Sequence, residues 1–283
     1  MRIGNWQLDL ISGGRFRIDG GVLFGIVPRT VWQNVAPPVD SLHRTMVDTH
    51  CIVARDGQNV VLIDTGYGGK YSPLDRKVND LEPREPIVEG IASLGIKPEE
   101  VTHVLFSHLH FDHAGGATRW TTDRQIVPTF PNARHWVHQW EWEDAMGQAS
   151  EIRAAYPIQN IGPLAEAGLV DVFQHDGELL PGLTARLSGG HTRGHTCFYF
   201  EDAESSVLFI GDICPSAAHV RPQWHTAYEL YPLQTRSVKP KILADAVERR
   251  TWVVWNHDIE IPVSRVGRGP KQEFTIYDTA TGL

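Results

Sequence analysis

The chain has 283 residues, of which 41% are hydrophobic and 21% charged, and its formal net charge is −8 with histidine counted neutral. That length supports one large core, and the composition is that of an ordinary globular protein rather than a disordered or fibrous one. The acidic balance repels phosphate backbones, so nucleic acid is a poor default partner.

The first residues, Met1 to Trp6, lack the apolar core of a secretion signal. The longest apolar runs, such as Val60 to Ile63, are too short for a bilayer. A cytoplasmic protein without membrane contact is expected. Strands are predicted at Thr45–Val53, Val60–Asp64, Val101–Phe106, His135–His138, Leu183–Leu187, Cys197–Phe200, Val207–Ile210, Thr251–Trp255 and Phe274–Tyr277, on their content of Val, Ile, Leu, Phe and Trp. Between them, Pro86–Leu94 places Ile87, Val88, Ile91 and Leu94 at helical spacing, with Gly95 as a stop. Trp140–Met146 also reads as a helix, and so does Lys239–Glu248 with Pro240 in its first turn. The Pro- and charge-rich segments 71–86 and 121–131 read as excursion loops. No linker breaks the chain, so a single domain over 1–283 is expected. Strands and helices in runs, rather than strict alternation, suggest two sheets covered by helices. The three cysteines, Cys51, Cys197 and Cys214, form no C-x-x-C pair and read as small buried hydrophobes of a reducing compartment.

The most informative segment is His108-Leu109-His110-Phe111-Asp112-His113, an H-x-H-x-D-H run directly after an apolar strand. A strand ending there holds His108 and His110 on one side. Asp112 and His113 swing back as a helix begins. Four other strands end near a donor. Val60–Ile63 runs into Asp64-Thr65-Gly66; Asp64 is either a turn former or a carboxylate that fixes the tautomer of a ligand histidine. Gly189-Gly190-His191-Thr192-Arg193-Gly194-His195 offers two imidazoles. His191 is assigned as the ligand, completing a His₃ set with His108 and His110, and His195 as a supporting residue. Asp212, after Val207–Ile210, is a turn former or a carboxylate bridging two cations. His257 follows Trp252–Trp255.

Taken in this order, the motifs resemble those of the metallo-β-lactamase superfamily, over nearly the whole chain. The resemblance implies an αββα sandwich, an α/β fold of two mixed sheets flanked by helices. It implies one metal site of His108, His110 and His191, a second of Asp112, His113 and His257, and Asp212 between them. Gly20 to Gly25 with Pro28, Leu109 and Phe111 inside the first motif, and Gly211 to Pro215 followed by His219 are similar to the quorum-quenching N-acyl-homoserine lactonases, particularly their YtnP-like branch. One departure stands out: Pro215 occupies the position where better-known lactonases carry a tyrosine oxyanion donor, and His219 is a candidate substitute.

The activity implied is opening of a lactone by a metal-bridging hydroxide, with Asp112 orienting the nucleophile and passing a proton to the leaving oxygen. Two divalent ions are expected, zinc by default, with manganese, iron or cobalt also compatible with His/Asp donors. Leu23, Phe24, Trp224 and Tyr228 are candidate lining residues of an apolar substrate pocket, each equally readable as core. A phosphotriesterase of the same fold is the enzymatic alternative, and a non-catalytic metal-binding sensor the other. The expected partner is a small lactone or ester, and the resemblance makes a homodimer plausible.

Overall fold

The computed structural model describes residues 1–271 and 273–283. Along the chain, the elements are β1 (Arg2–Ile3), β2 (Trp6–Asp19), α1 (Gly20–Phe24), α2 (Arg29–Trp32), β3 (Arg44–Arg55), β4 (Val60–Ile63), α3 (Pro73–Asn79), α4 (Pro86–Ser93), β5 (His103–Leu105), α5 (Phe111–Ala114), β6 (Thr118–Trp120), β7 (Ile126–Pro128), β8 (Arg134–His138), α6 (Gln139–Gly147), α7 (Gly162–Glu166) and β9 (Val170–Phe173). There follow β10 (Gly177–Leu180), β11 (Leu183–Leu187), β12 (Thr196–Glu201), β13 (Ser206–Phe209), α8 (Pro232–Glu248), β14 (Trp252–Val254), β15 (Val263–Arg268) and β16 (Phe274–Ala280). They divide into two compact units, residues 1–15 with 49–175 and residues 16–48 with 176–283.

The first unit is built on a seven-stranded sheet in the order β1-β2-β3-β4-β5-β8-β9. β3 and β4 are antiparallel, whereas β4, β5, β8 and β9 run parallel. The central parallel strands β4 and β5 carry buried apolar side chains on both faces, as strands covered on both sides must. Leu62, Val104 and Val137 are buried with Ile87 and Ile91 of α4. Each such side chain stabilises by roughly 1.5–3 kcal/mol on leaving water. Pro86 opens α4 in its first turn, where the missing N–H has no intrahelical partner to lose.

The second unit is built on the sheet β10-β11-β12-β13-β14-β15-β16. All its pairings are antiparallel except β13–β14, where Phe209 stands opposite Val254. Leu208, Ile210, Val253, Trp255 and Val266 form its core with Leu243 and Ala246 of α8.

Several boundaries depart from the sequence reading. β2 and the short helices after it were not anticipated. Segment 71–86 contains a helix, α3, closed by a capping box between Ser72 and Asp75; no residue of α3 is buried, so no apolar stripe announced it. Helix α8 begins at Pro232, so Pro240 is internal rather than in the first turn. A proline there removes one bond of the helical ladder, toward the carbonyl of Arg236. Both prolines carry the same local signal for a helix start, and packing selects the earlier. All three cysteines are buried, and none forms a disulfide. Among the described residues no helix is long and apolar enough to cross a membrane.

Candidate metal centre

In the first unit, parallel pairing places Ile63 opposite Leu105, so the chain leaves β4 and β5 at the same sheet edge. Asp64, the residue after β4, has φ = 58°. This left-handed region is costly for most side chains and tolerated by aspartate. The conformation is held by a dense set of bonds. Asp64 Oδ1 accepts the Ser107 amide at 2.7 Å, and Oδ2 accepts the Ser107 hydroxyl at 2.6 Å and His113 Nδ1–H at 2.8 Å. The amide and hydroxyl of Thr65 both donate to the His113 carbonyl, at 2.7 and 2.8 Å. Gly66 has φ = 66°, and a Cβ there would lie 2.1 Å from the Gly13 carbonyl oxygen. The Asp-Thr-Gly segment is therefore a bracket for the histidine motif.

His108 and His110 precede α5, and Asp112 and His113 lie inside it. The His108 ring centroid is 4.5 Å from that of His110 and 3.9 Å from that of His113. His113 Nε2 is 3.9 Å from Asp112 Oδ1. The Ser107 hydroxyl donates to Asp64, so its oxygen accepts from His108 Nδ1 at 3.1 Å. From α6, the buried Glu141 accepts the Leu109 amide, in the middle of the motif, at 2.9 Å. The buried ammonium of Lys70 donates to the carbonyls of Gly115 and Thr118, just past α5; burial lowers its pKa to about 8, partly offset by Glu85.

In the second unit, the parallel pair β13–β14 does for Asp212 and His257 what β4–β5 does for Asp64 and His108. Each donor follows the end of its strand at the same edge. The loop between β11 and β12 returns to that edge and carries His191. Gly190 in this loop has φ = 85°, and a Cβ would meet Thr235 Oγ1 at 2.6 Å; the bare backbone permits the close approach. His191 Nε2 lies 3.4 Å from Asp212 Oδ2, and His257 Nε2 lies 3.2 Å from Asp212 Oδ1.

The far side of each ring is engaged by an acceptor. His191 Nδ1–H donates to Glu229 Oε1 at 3.0 Å, and His257 Nδ1–H donates to the Asp48 carbonyl at 2.7 Å. His195 receives the Asp212 amide on Nε2 at 3.0 Å and reaches the Ser188 hydroxyl with Nδ1 at 2.6 Å. It thus sits behind Asp212.

These partners decide the donor chemistry. A ring that donates from Nδ1 to a carboxylate or carbonyl keeps its lone pair on Nε2. Nitrogen lone pairs turned toward carboxylate oxygens at 3.2–3.4 Å repel one another unless positive charge lies among them. All-nitrogen and oxygen donors without thiolate suit a divalent cation.

The candidate substrate residues fare differently. Leu23, Phe24 and Trp224 are buried, while Tyr228 is exposed. Phe24 stacks between Trp32 (centroids 5.3 Å apart) and His219 (4.9 Å), with Trp224 edge-on at 5.9 Å. His219 is not a substrate-facing donor. It is fully buried, its Nε2–H donates to the Leu23 carbonyl at 3.0 Å, and its Nδ1 accepts the Ser216 hydroxyl at 2.7 Å. Burial, reinforced by the nearby Lys239 charge, lowers its pKa to about 3 and keeps it neutral. The sequence reading missed Glu229, Glu141, Ser107, Ser188 and the Asp48 carbonyl. None belongs to a motif, and the Glu141 neighbourhood Trp140-Glu141-Trp142-Glu143 carries no sign of which carboxylate turns inward.

Residues 44–251 match the Metallo-beta-lactamase superfamily. The chain belongs to this superfamily. Its two large mixed sheets with flanking helices are those of the fold. A probable metal-dependent hydrolase from Staphylococcus aureus superposes with a TM-score of 0.88 at 28% identity, covering 99% of this chain and 100% of that one. A hydroxyacylglutathione hydrolase from a Synechococcus species is 32% identical over 128 residues, 45% of this chain. An N-acyl homoserine lactonase, AttM, from Rhizobium johnstonii is 30% identical over 182 residues, 61% of this chain. The matches span 39% and 63% of the lengths of these two relatives. Within the superfamily, the hydrolase character of these relatives and the His/Asp clusters agree on a metal-dependent hydrolase.

Proposed function

We propose that this metallo-β-lactamase superfamily hydrolase is a lactonase that opens N-acyl-homoserine lactones. The observation that carries the reading is Asp212, whose two carboxylate oxygens each face the Nε2 of a different, acceptor-fixed histidine. A carboxylate used on both oxygens suits two cations rather than one. The ligands proposed are His108, His110 and His191 for one ion, Asp112, His113 and His257 for the other, and Asp212 for both. On this reading residues 1–283 act as one catalytic domain. Zinc is the preferred metal on donor type. The AttM relative supports the substrate class.

When bound, the ions supply Lewis acidity toward water and toward the scissile carbonyl. The chain does the rest. Asp64, Glu229 and the Asp48 carbonyl fix ring orientation before substrate arrives, which spares reorganisation during reaction. Asp112, only 8% exposed in the first turn of α5, is the group proposed to hold the proton and deliver it to the leaving alkoxide. No tyrosine follows Asp212 at the position of Pro215, and His219 is committed elsewhere, so no side chain of that segment is assigned to the oxyanion.

A second reading has its own support in the Synechococcus relative, which would make the substrate a glutathione thioester. One panel separates them. Purified protein is assayed for metal content, then for hydrolysis of acyl-homoserine lactones, a hydroxyacyl thioester and a phosphotriester, with and without chelator. Lactone turnover that dominates and vanishes on chelation is expected. Metal-loaded protein that hydrolyses only the thioester or phosphotriester ends the lactonase assignment. Metal binding with no turnover of any of them favours a sensor.

A further inference from the structure

Helix α5 carries two of the proposed ligands, Asp112 and His113, yet it has only four residues. A helix of one turn does not hold its own shape, so its geometry must come from what it is fastened to. The fastening is supplied by residues 65–71, which follow β4. Thr65 donates to the His113 carbonyl, the Tyr71 hydroxyl donates to the Phe111 carbonyl at 3.3 Å, and the Gly66 carbonyl accepts the Gly116 amide at 3.1 Å. The buried ammonium of Lys70 closes the far end, donating to the carbonyls of Gly115 and Thr118. The carbonyls of Phe111, His113, Gly115 and Thr118 are thus all held by one segment.

That segment is itself anchored. Arg76 of α3 donates to the Gly69 carbonyl at 2.8 Å and to the Tyr71 carbonyl at 3.3 Å, on either side of Lys70. Gln159 donates to the Lys70 carbonyl at 3.2 Å. This gives a purpose to α3, a helix with no buried residue. Gly68 (φ = 68°) lets the segment lie against Gly115, whose carbonyl oxygen a Cβ would strike. Carbonyls at a helix end need partners, but a water or an amide would meet that need at lower cost than a buried charge. What the ammonium adds is a pair of charge-assisted bonds from one atom, tying Gly115 to Thr118 across the turn that follows α5.

We propose that Lys70 is a positioning residue for the metal centre: its ammonium fixes the exit of α5 and so sets where Asp112 and His113 present their donor atoms. The inference rests on the reading of Asp112 and His113 as ligands and not on the identity of the substrate. Lys70 acts through the backbone of the turn, so its effect can be followed without turnover.

The test uses the full chain, with and without zinc. Lys70→Met keeps the stem and removes the ammonium. In chelator competition it should weaken by about tenfold the ion whose binding is lost in Asp112→Ala, and leave the ion lost in His191→Ala little changed. In zinc-free protein it should speed amide exchange at His113, Ala114 and Gly116 by about tenfold, with Leu62, Val104 and Val137 unaltered. Arg76→Gln, in a helix with no buried residue, is expected to fold and should shift both readouts the same way by about threefold. In Lys70→Ala, added n-propylammonium should restore both readouts and n-propanol should not. If Lys70→Met does not fold, these last two arms carry the test. A lysine that serves stability alone gives a different pattern: both ions weaken together, exchange rises across the sheet, and the alcohol rescues as well as the amine. That pattern overturns the proposal, as do unchanged zinc affinity and unchanged turn exchange in Lys70→Met. Wild type that binds no divalent ion rejects the ligand reading, while the exchange and amine arms still decide whether Lys70 fixes the turn.

Discussion

The two units solve one chemical problem in opposite ways. In the first, four donors fall within six consecutive residues, His108 to His113, and one carboxylate, Asp64, holds His113 directly and His108 through Ser107. In the second, three donors come from three loops spread from residue 191 to residue 257, and each has its own support: Glu229 for His191, His195 for Asp212, and the Asp48 carbonyl for His257. A compact motif concentrates dependence on one bracket. A dispersed one spreads it over several, each replaceable on its own terms.

Emptying a donor set should have the largest effect, and it should not distinguish the units. His110→Ala and Asp212→Ala are each expected to reduce turnover to background while keeping the circular-dichroism spectrum of wild type; unchanged turnover in either would refute its place among the ligands. One step outward, the units should diverge. Asp64→Ala removes three acceptor bonds at once, so metal affinity should fall by about 100-fold, the upper end of what such partners contribute. Glu229→Ala disturbs one imidazole only and is expected to cost nearer tenfold. Chelator competition measures both, and equal losses would show that the bracket is no more concentrated than its counterpart.

A third contrast is in acid. His135 in β8 is buried, and desolvation lowers its pKa from 6.5 to about 4. Its neutral form is the one the fold retains. Above pH 6.5 folded and unfolded chains are both neutral there, and nothing is lost. As pH falls below 6.5 the unfolded chain takes the proton first, and stability drains until the folded group titrates near pH 4. At pH 5 the loss is about 2 kcal/mol. His135→Leu should flatten the urea-midpoint profile between pH 7 and pH 4.5, and an unchanged profile would exclude His135 as its source. The smallest effect expected is from the paired serines. Ser107→Ala and Ser188→Ala each remove a hydroxyl beneath an imidazole, and each should cost about fivefold in activity or about 1 kcal/mol of stability; a much larger loss at Ser107 alone would extend the asymmetry to the hydroxyls.

The same contrast explains what the sequence revealed. The H-x-H-x-D-H run was legible because its chemistry is packed into one local string, and Asp64, His191, Asp212 and His257 were legible because each follows a buried strand. Glu229 and Glu141 were not, since burial of a carboxylate depends on what folds over it. His219 was misread for the same reason: a histidine in a Gly/Pro-containing loop looks available, yet its two nitrogens are taken by Ser216 and Leu23. The ends of the expected strands were readable to within three residues because strand composition is strong, whereas α8 was misplaced because Pro232 and Pro240 give the same signal.

Position 64 illustrates how narrow a residue's choice becomes under two simultaneous demands. Asparagine and glycine accept its positive φ but cannot offer a charged pair of oxygens to Ser107 and His113. Glutamate has the oxygens but is a poor fit to that backbone and one methylene too long. Of the twenty side chains, aspartate alone answers both requirements, so any route by which this protein drifts to a new chemistry is expected to pass around that site and not through it.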